Sequence, residues 1–303
     1  MGNKLSGNPI IPGHGVCDPH IRIFNDKAYL YASHDKAPDA DRWIMEDWWI
    51  WSSSDLVNWK HECTLRPEQT YIGPGFSSCW ATDAVEKNGK YYWYFSEGNK
   101  RTGVVVADSP IGPWHDPLDQ PLVGDEVVPV GAYDPGVFID DEGSPYIVFG
   151  RWDFYIARLN DDMISLAEIP RKLIIHNPDG PHGPGKLDDK PYLHERNGIY
   201  YLSWGCFYAM SDHVYGPYYC HGSIIHEENV APTHRYKDDV ITYDRHGSFF
   251  EWHKQWYFIC NDMSQTNNVH FRESSLCYVH YHRNGEIQPV QLTTAGVCLP
   301  NHD

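Results

Sequence analysis

The chain has 303 residues, of which 41 are Asp or Glu and 24 are Lys or Arg, so its formal net charge is −17. Because phosphate groups are bound by clustered Lys and Arg, this charge argues against nucleic acid and anionic membrane surfaces as partners. The sequence lacks an apolar run of roughly 18 residues that would span a membrane, and its N-terminal segment lacks the apolar core of a secretory signal. We therefore expect a cytoplasmic protein, or a secreted or periplasmic one if a signal peptide has been removed.

Five times along the chain, a tight turn is followed at once by a short aromatic-rich strand. In chain order the copies read NDKAYLYAS from Asn25, KNGKYYWYFSE from Lys87, DEGSPYIVFG from Asp141, RNGIYYLSWG from Arg196 and HKQWYFIC from His253. A regular period of roughly 55 residues is typical of propeller blades. The sequence therefore predicts an all-β protein, a five-bladed β-propeller with four-stranded antiparallel blades around a central channel. We expect residues 1–303 to form one domain.

Shortly before each turn stands an acidic or imidazole side chain. These residues are Asp18, Asp83, Asp134, Asp189 and His246. The innermost strand of every propeller blade lines the same central channel. Equivalent positions on five blades therefore converge on one cavity, and we expect a chemical site there.

The strings around these residues resemble the successive blade openings of glycoside hydrolase family 43. They read VCDPHIRIFNDKAYLYASHD, WATDAVEKNGKYYWYFS, YDPGVFIDDEGSPYIVFG, DDKPYLHERNGIYYLSW and HGSFFEWHKQWYFICND, and the similarity spans about residues 14–290. The resemblance implies an inverting glycosidase that releases a terminal sugar, such as α-L-arabinofuranose or β-D-xylose, from plant or algal oligosaccharides. It also implies that the chemistry needs no cofactor.

Inverting glycosidases use one carboxylate to activate water and one carboxylic acid to protonate the leaving oxygen, with roughly 6.5–9.5 Å between them. The resemblance makes Asp18, in CDPHI, the general base. It makes Asp134, in YDPGVF, the carboxylate that orients the acid and raises its pKa. The family carries the acid as a Glu two residues before the proline of blade four, in strings such as EGP or EAP. The matching residue here is Asp189.

Aspartate is one methylene shorter than glutamate, and a misplacement of about 1 Å at a reacting group can cost about 100-fold in rate. Three interpretations follow. Asp189 is the acid on an adjusted backbone, another group such as Asp188, His194 or a cavity histidine takes its place, or catalysis is lost. We favour Asp189. Glu195 is of the right type, but it stands at the turn and is interpreted as a solvated residue.

The resemblance also assigns supporting roles. His246, in RHGSFF, matches an axial histidine that contacts a central cation or its waters, so a structural calcium at the propeller axis is expected. Asp83, in WATD, matches a structural group, and Trp80 beside it is a candidate for stacking on a sugar ring. Arg272, in VHFRES, is expected at the substrate or the carboxylates.

His34 and Asp35 end the second strand of blade one in ASHD, and we expect them at the substrate, on the rim of the cavity. The insertions at 36–48 and 64–79 are the longest candidates for rim loops, where specificity is usually encoded.

Two other functions stay open. One is hydrolysis of an anhydrogalactose linkage in algal oligosaccharides, with a histidine as the acid. The other is a carbohydrate-binding propeller without catalysis. A phosphorylase would need a basic cluster for phosphate, and a fructan-acting enzyme would carry a WMNDPNG string, neither of which is present. The eight cysteines lack zinc-site spacing, and we expect free thiols.

Overall fold

The computed structural model describes residues 4–236 and 241–300, and its strands form five small β-sheets. Each sheet contains the turn of one of the five sequence repeats together with the strand that follows it, so the predicted five-bladed β-propeller is confirmed. In these residues, helical structure is limited to three 3-10 turns at Pro67–Gln69, Glu227–Asn229 and Pro232–His234. None of the helices described is long and apolar enough to cross a membrane.

The blades follow one another in chain order. Blade one contains β1 (Val16–Phe24), β2 (Lys27–His34), β3 (Trp48–Ser53) and β4 (Lys60–Leu65). Blade two contains β5 (Cys79–Lys87), β6 (Lys90–Glu97) and β7 (Arg101–Ala107). Blade three contains β8 (Gly136–Ile139), β9 (Pro145–Phe149), β10 (Tyr155–Arg158) and β11 (Arg171–Lys172). Blade four contains β12 (Ile175–His176), β13 (Tyr192–Arg196), β14 (Ile199–Trp204), β15 (Phe207–Ser211) and β16 (Tyr218–Ser223), and blade five contains β17 (Gly247–Trp252), β18 (Gln255–Asp262) and β19 (Glu273–Val279).

The number of strands in a blade departs from the predicted four. Blades two and five have three strands, and blade four gains the short β12, which pairs in parallel with the edge strand β16. In blade two, single bridges from Thr102 to Val123 and from Val106 to His115 take the place of a fourth strand. These bridges are isolated because the segment between them does not stay paired with β7.

The turns of the sequence repeats join the two innermost strands of each blade, such as β1 and β2 in blade one and β13 and β14 in blade four. Four of them place two consecutive residues at positive φ, for example Asn88 at 55° with Gly89 at 76° and Asn197 at 53° with Gly198 at 76°. Two central residues at positive φ fit a type I′ turn, whose twist matches the twist of the flanking strands. Blade three instead uses the longer turn 140–144. The Asn-Gly pairs at two of the five turns thus made those repeats readable in the sequence.

The inner wall of the ring is formed by β1, β5, β8, β13 and β17, which we call the first strands of the blades. β1 contacts β5 and β17, β8 contacts β5 and β13, and β13 contacts β17. Aromatic and aliphatic side chains from successive blades fill the space between the sheets, with Trp48, Trp93 and Trp204 fully buried. The N-terminal segment adds to blade five, because the backbone N–H of Ile10 donates to the carbonyl of Ser274 at 2.9 Å. The predicted free thiols are confirmed, since all eight cysteines are free.

Candidate active site

The pocket at one end of the channel gathers residues from the amino ends of the first strands. It has a cavity volume of about 110 Å³ and is lined by Asp18, Trp43, Met45, Trp80, Ala81, Asp134, Arg151, Asp189, Asp244, His246 and Arg272. Seven of these eleven side chains are Asp, Arg or His. Charged side chains are seldom buried unless they are paired, so their concentration here marks a functional site.

Asp18 points into this pocket from an irregularity in β1. Its φ is 50°, and the pairing of β1 with β2 shifts register between Cys17 and His20. A bulge of this kind redirects a side chain out of the regular alternation. Asp134 has a φ of 57°, so two of the predicted catalytic residues have strained backbone conformations of the kind that cluster at active sites.

The Asp18 carboxylate is held by three neighbours. Arg272 donates to it from Nη1 at 2.8 Å, the Nε2 atom of His246 lies 2.6 Å away, and Asn261 donates from Nδ2 at 3.2 Å. Burial by itself would raise the pKa of Asp18, but the charge of Arg272 and the hydrogen bond with His246 hold that pKa well below its usual range. Asp18 is therefore an ionised carboxylate at neutral pH.

His246 lies between acidic groups on both sides of its ring. Nε2 faces Asp18, whereas Nδ1 lies 3.3 Å from Oδ1 of Asp244 and 3.8 Å from Oδ1 of Asp189. Burial opposes a charge on the ring, but Asp244 and Asp18 together raise the pKa of His246 to about 9. The side chain is thus a cation at neutral pH.

The same ring sets the spacing between Asp18 and Asp189. Its two nitrogens lie 2.6 Å from one carboxylate and 3.8 Å from the other, so one imidazole ring separates Asp18 from Asp189. Together these contacts and the width of the ring give the two carboxylates a separation comparable to the roughly 6.5–9.5 Å of inverting glycosidases.

Asp134 is buried next to Ser96, whose hydroxyl accepts the backbone N–H of Asp134 at 2.9 Å. Burial and the nearby carboxylate of Asp189 raise the pKa of Asp134 well above its usual range, and Lys190 opposes the rise. Together, burial and the neighbouring carboxylate favour the protonated form of Asp134.

Asp189 and Asp188 point in different directions. Asp189 lines the pocket, has a side chain that is 24% exposed, and lies 3.9 Å from Nε of Arg151. Asp188 is buried, and its Oδ1 lies 3.3 Å from Nε2 of His182. Burial and the charges of Asp189 and Asp244 raise the pKa of Asp188 to about 8. Of the two aspartates, only Asp189 lines the pocket.

His194, an alternative acid, lies away from this pocket. Its ring stacks on Tyr201 and on Phe249, each with 4.6 Å between ring centroids, and burial lowers its pKa to about 3. It lines a second cavity at the carboxyl ends of the first strands, toward the other end of the channel. His246 is the histidine that lines the pocket.

Arg272 contacts carboxylates on three sides. In addition to Asp18, it donates from Nε to Asp35 at 3.0 Å and from Nη1 to Asp244 at 3.3 Å. Asp35 is fully buried, so the expectation that it contacts substrate is not supported by its position. It holds the guanidinium in place.

His34, which was also expected at the substrate, does not line the pocket. Its ring stacks on that of Trp49 in β3, with 3.6 Å between ring centroids, and its Nδ1 lies 2.8 Å from Oδ1 of Asp47.

Aromatic residues border the pocket. Trp80 lines it as expected, with its ring 5.8 Å from Tyr133 in an edge-to-face arrangement. The insertion 36–48 contributes Trp43, which is 40% exposed, and Met45. The insertion 64–79 contributes none of the lining residues, and it contacts the first insertion through a bridge from Met45 to Ser78.

The surroundings of the axis do not suit the calcium expected from the sequence. No group of three or more His, Cys, Asp or Glu side chains in residues 4–236 and 241–300 is arranged to hold a metal ion. His246 directs its nitrogens at aspartates. Deeper in the channel the ammonium group of Lys190 lies between blades, 3.1 Å from Nδ1 of His20 and 3.2 Å from the carbonyl of Thr82. A resident cation at this position disfavours a second one.

Sequence reasoning missed several residues of the site, namely Asp244, Arg151, Lys190 and Asn261. Asp244 was findable, because it precedes His246 by two positions. Arg151 follows the repeat strand of blade three, and Asn261 lies near the end of β18. Arg151 contacts Asp189 and Asn261 contacts Asp18, each on another blade, so no local sequence pattern predicts them.

Comparisons with known proteins agree with this geometry. The sequence model described as "Glycosyl hydrolases family 43" matches residues 6–297. A "Xylosidase/arabinosidase" from Bacteroides ovatus is 27% identical, over 95% of this chain and 98% of the relative. "Xylosidase/arabinosidase 43A" from Humicola insolens is 29% identical, over 92% and 98%.

A solved structure is similar over the same extent. It is a family 43 β-xylosidase/α-arabinofuranosidase from a compost microbial metagenome, in complex with xylotriose and in a calcium-free form. Its TM-score is 0.77 at 25% identity, and the match covers 96% of this chain and 99% of that one.

Proposed function

Because the chain belongs to glycosyl hydrolase family 43, we propose that it is an inverting glycosidase that releases a terminal α-L-arabinofuranose or β-D-xylose from plant or algal oligosaccharides. The names of the two relatives support these sugars, as does the xylotriose bound to the similar structure. The observation that carries the proposal is the placement of Asp18 and Asp189 on either side of His246 in one pocket. The chain as a whole would form a single catalytic domain.

Asp18 is proposed as the general base. Its low pKa keeps it ionised, and Arg272 and His246 fix its orientation. It would take a proton from a water molecule that attacks the anomeric carbon from the face opposite the leaving group. Attack from that face inverts the configuration at the anomeric carbon.

Asp189 is proposed as the general acid, which donates its proton to the glycosidic oxygen as the bond to the anomeric carbon breaks. Asp134 would support the acid, because its carboxyl group interacts with that of Asp189 and its own raised pKa favours a proton on it. Arg151 beside Asp189 would orient its carboxyl group. After the reaction, solvent returns a proton to Asp189 and accepts one from Asp18.

The size of the pocket supports removal of one terminal unit. A water-sized group needs roughly 10–15 Å³ of cavity volume, so a pocket of about 110 Å³ holds roughly seven to eleven of them. One pentosyl unit, with its hydroxyl groups, has a number of non-hydrogen atoms within this range. Trp43 and Trp80 would then contact the sugar at the mouth and the wall, whereas the rest of the chain extends into solvent.

The test of the reaction is proton NMR of the protein with arabinose- and xylose-containing oligosaccharides, with Asp18→Ala as the control. We expect a reducing sugar that appears first as the inverted anomer and is absent with the variant. Release as the retained anomer would refute the assignment of Asp18 and Asp189. Ligand-induced stabilisation without turnover would support a carbohydrate-binding propeller.

The test of the acid compares Asp189→Asn with Asp188→Asn. General acids contribute roughly 10²–10⁴-fold, so Asp189→Asn should lower kcat by that factor on an oligosaccharide. On an aryl glycoside whose leaving group needs no proton, the loss should be much smaller. If Asp188→Asn alone shows this dependence on the leaving group, Asp188 is the acid instead.

A further inference from the structure

Lys190 stands where the resemblance to the family leads us to expect a small residue. It follows Asp189 and precedes Pro191, in the position of the middle residue of EGP or EAP strings. Its φ is 58°, a left-handed conformation that glycine adopts without strain and that residues with a Cβ rarely adopt. In the buried channel, the contacts of the side chain must compensate for this strained conformation.

The surroundings of Lys190 come from neighbouring blades. The residue is fully buried, and its Nζ contacts both ring nitrogens of His20, at 3.1 and 3.2 Å, and the carbonyl of Thr82 at 3.2 Å. Blade one supplies the histidine, and blade two supplies the carbonyl. Burial and the nearby Lys190 and Arg22 lower the pKa of His20 well below its usual range, so its imidazole is neutral and can accept a hydrogen bond from an ammonium group.

The charges along the channel alternate in sign. Asp18 and Asp134 lie at the pocket. Burial lowers the pKa of Lys190 below its usual range, whereas the charges of Asp83, Asp134 and Asp18 favour its ammonium form. Asp83 in turn accepts a hydrogen bond from Nη2 of Arg22 at 2.6 Å. Arg22 lines the second cavity, so this column of charges separates that cavity from the catalytic pocket.

We propose that Lys190 is a built-in axial cation, whose ammonium group supplies the positive charge behind the catalytic carboxylates without a bound metal ion. An axial metal ion would balance the aspartates that converge from several blades, and the ammonium does so from within the chain. The side chain also fills the centre of the channel and thereby gives the catalytic pocket a floor. Lys190 is a positioning residue, since it acts through Asp18 and Asp134; this role rests on the proposed glycosidase function.

The test uses two variants that separate charge from volume. Lys190→Met keeps most of the packing and removes the charge. Lys190→Gly removes both, relieves the left-handed backbone, and opens the space in which a cation could sit. For each protein, Ca²⁺ binding is measured by isothermal titration calorimetry and thermal unfolding with and without EDTA, in addition to kcat and KM.

We expect the unaltered protein to bind no Ca²⁺ and to keep its Tm and kcat in EDTA. Lys190→Met should lose at least tenfold in kcat with little change in KM, and added Ca²⁺ should not help it. Lys190→Gly should bind Ca²⁺ and recover Tm, and with it kcat. Calorimetry and unfolding need no turnover, so they test the cation role even if the glycosidase assignment fails.

Two results would overturn the proposal. If the unaltered protein binds Ca²⁺ with a defined stoichiometry and loses Tm in EDTA, the axial charge comes from a metal. If Lys190→Met retains the kcat and Tm of the unaltered protein, the charge of Lys190 has no role. Should both variants fail to fold, Ca²⁺ binding by the unaltered protein still decides between a metal and the ammonium group.

Discussion

Replacing Arg272 with methionine should raise the pKa of the proposed base. The guanidinium lies 2.8 Å from Asp18, 3.0 Å from Asp35 and 3.3 Å from Asp244, and it is buried with them. Methionine fills much of the same volume but leaves the three carboxylates without this counter-charge. Arg272→Lys is the matched control, because it keeps the charge and loses only the forked geometry.

The magnitude follows from Coulomb's law. Two unit charges about 4 Å apart interact by about 4 kcal/mol at an effective dielectric constant of about 20, or about three pKa units. Arg272 shares its charge among three carboxylates, so we expect the pKa of Asp18 to rise by about one to two units. Catalysis requires the unprotonated base. As the pH is lowered, Arg272→Met should therefore lose activity at a higher pH than the unaltered enzyme does.

The assay is the pH profile of kcat/KM on an aryl arabinofuranoside, whose acid limb reports the base of the free enzyme. Removing one partner of a buried ion pair costs about 3–5 kcal/mol of stability, so circular dichroism must show a folded variant at each pH. The acid limb should move upward in Arg272→Met and much less in Arg272→Lys. An unmoved limb in folded Arg272→Met would refute the idea that Arg272 sets the pKa of Asp18.

Two further predictions concern Asp189 and His246. Asp189→Glu should lower kcat by about 10–100-fold, because the backbone is set for the shorter acid and the extra methylene moves the donor by about 1 Å. A rise in kcat would instead indicate that the unaltered protein lost its general acid when aspartate replaced the longer glutamate. The pKa of His246 is raised from 6.5 to about 9, so its contribution to stability is complete below pH 6.5 and is lost as the pH rises through 9. Urea unfolding at pH 6.5 and 9.5 should show this loss in the unaltered protein and much less of it in His246→Gln; an equal loss in both would assign the pH dependence to another group.

The propeller could be predicted from the sequence because its signal is local and repeated. Turns such as Asn88-Gly89 and Asn197-Gly198 need two residues at positive φ, and these residue types are rare elsewhere in strands. The strand count of each blade was less predictable, because outer strands such as the one expected after β7 depend on pairing with segments far from the repeat.

The site was predictable where one residue per blade sufficed. Asp18, Asp134, Asp189 and His246 all line the pocket, as do Trp80 and Arg272. Asp35 was expected at the substrate, but it is buried against Arg272. The sequence does not indicate which arginine a carboxylate at the end of a strand will contact. Its partner Arg272 is separated from it by 237 positions and reaches it only through closure of the ring.

Lys190 illustrates why a single departure from a family pattern is hard to interpret from sequence. In DDKP the shortened acid and the lysine stand side by side, and attention falls on the acid because its chemistry is known. The structure ties the two changes together, since Asp189 faces the pocket while the next side chain turns into the channel behind it. An ammonium group on that backbone adds charge next to the acid and fills space beneath it. The position of Asp189 is thus set by the same short segment that carries the proposed axial cation, so both residues depend on one stretch of backbone.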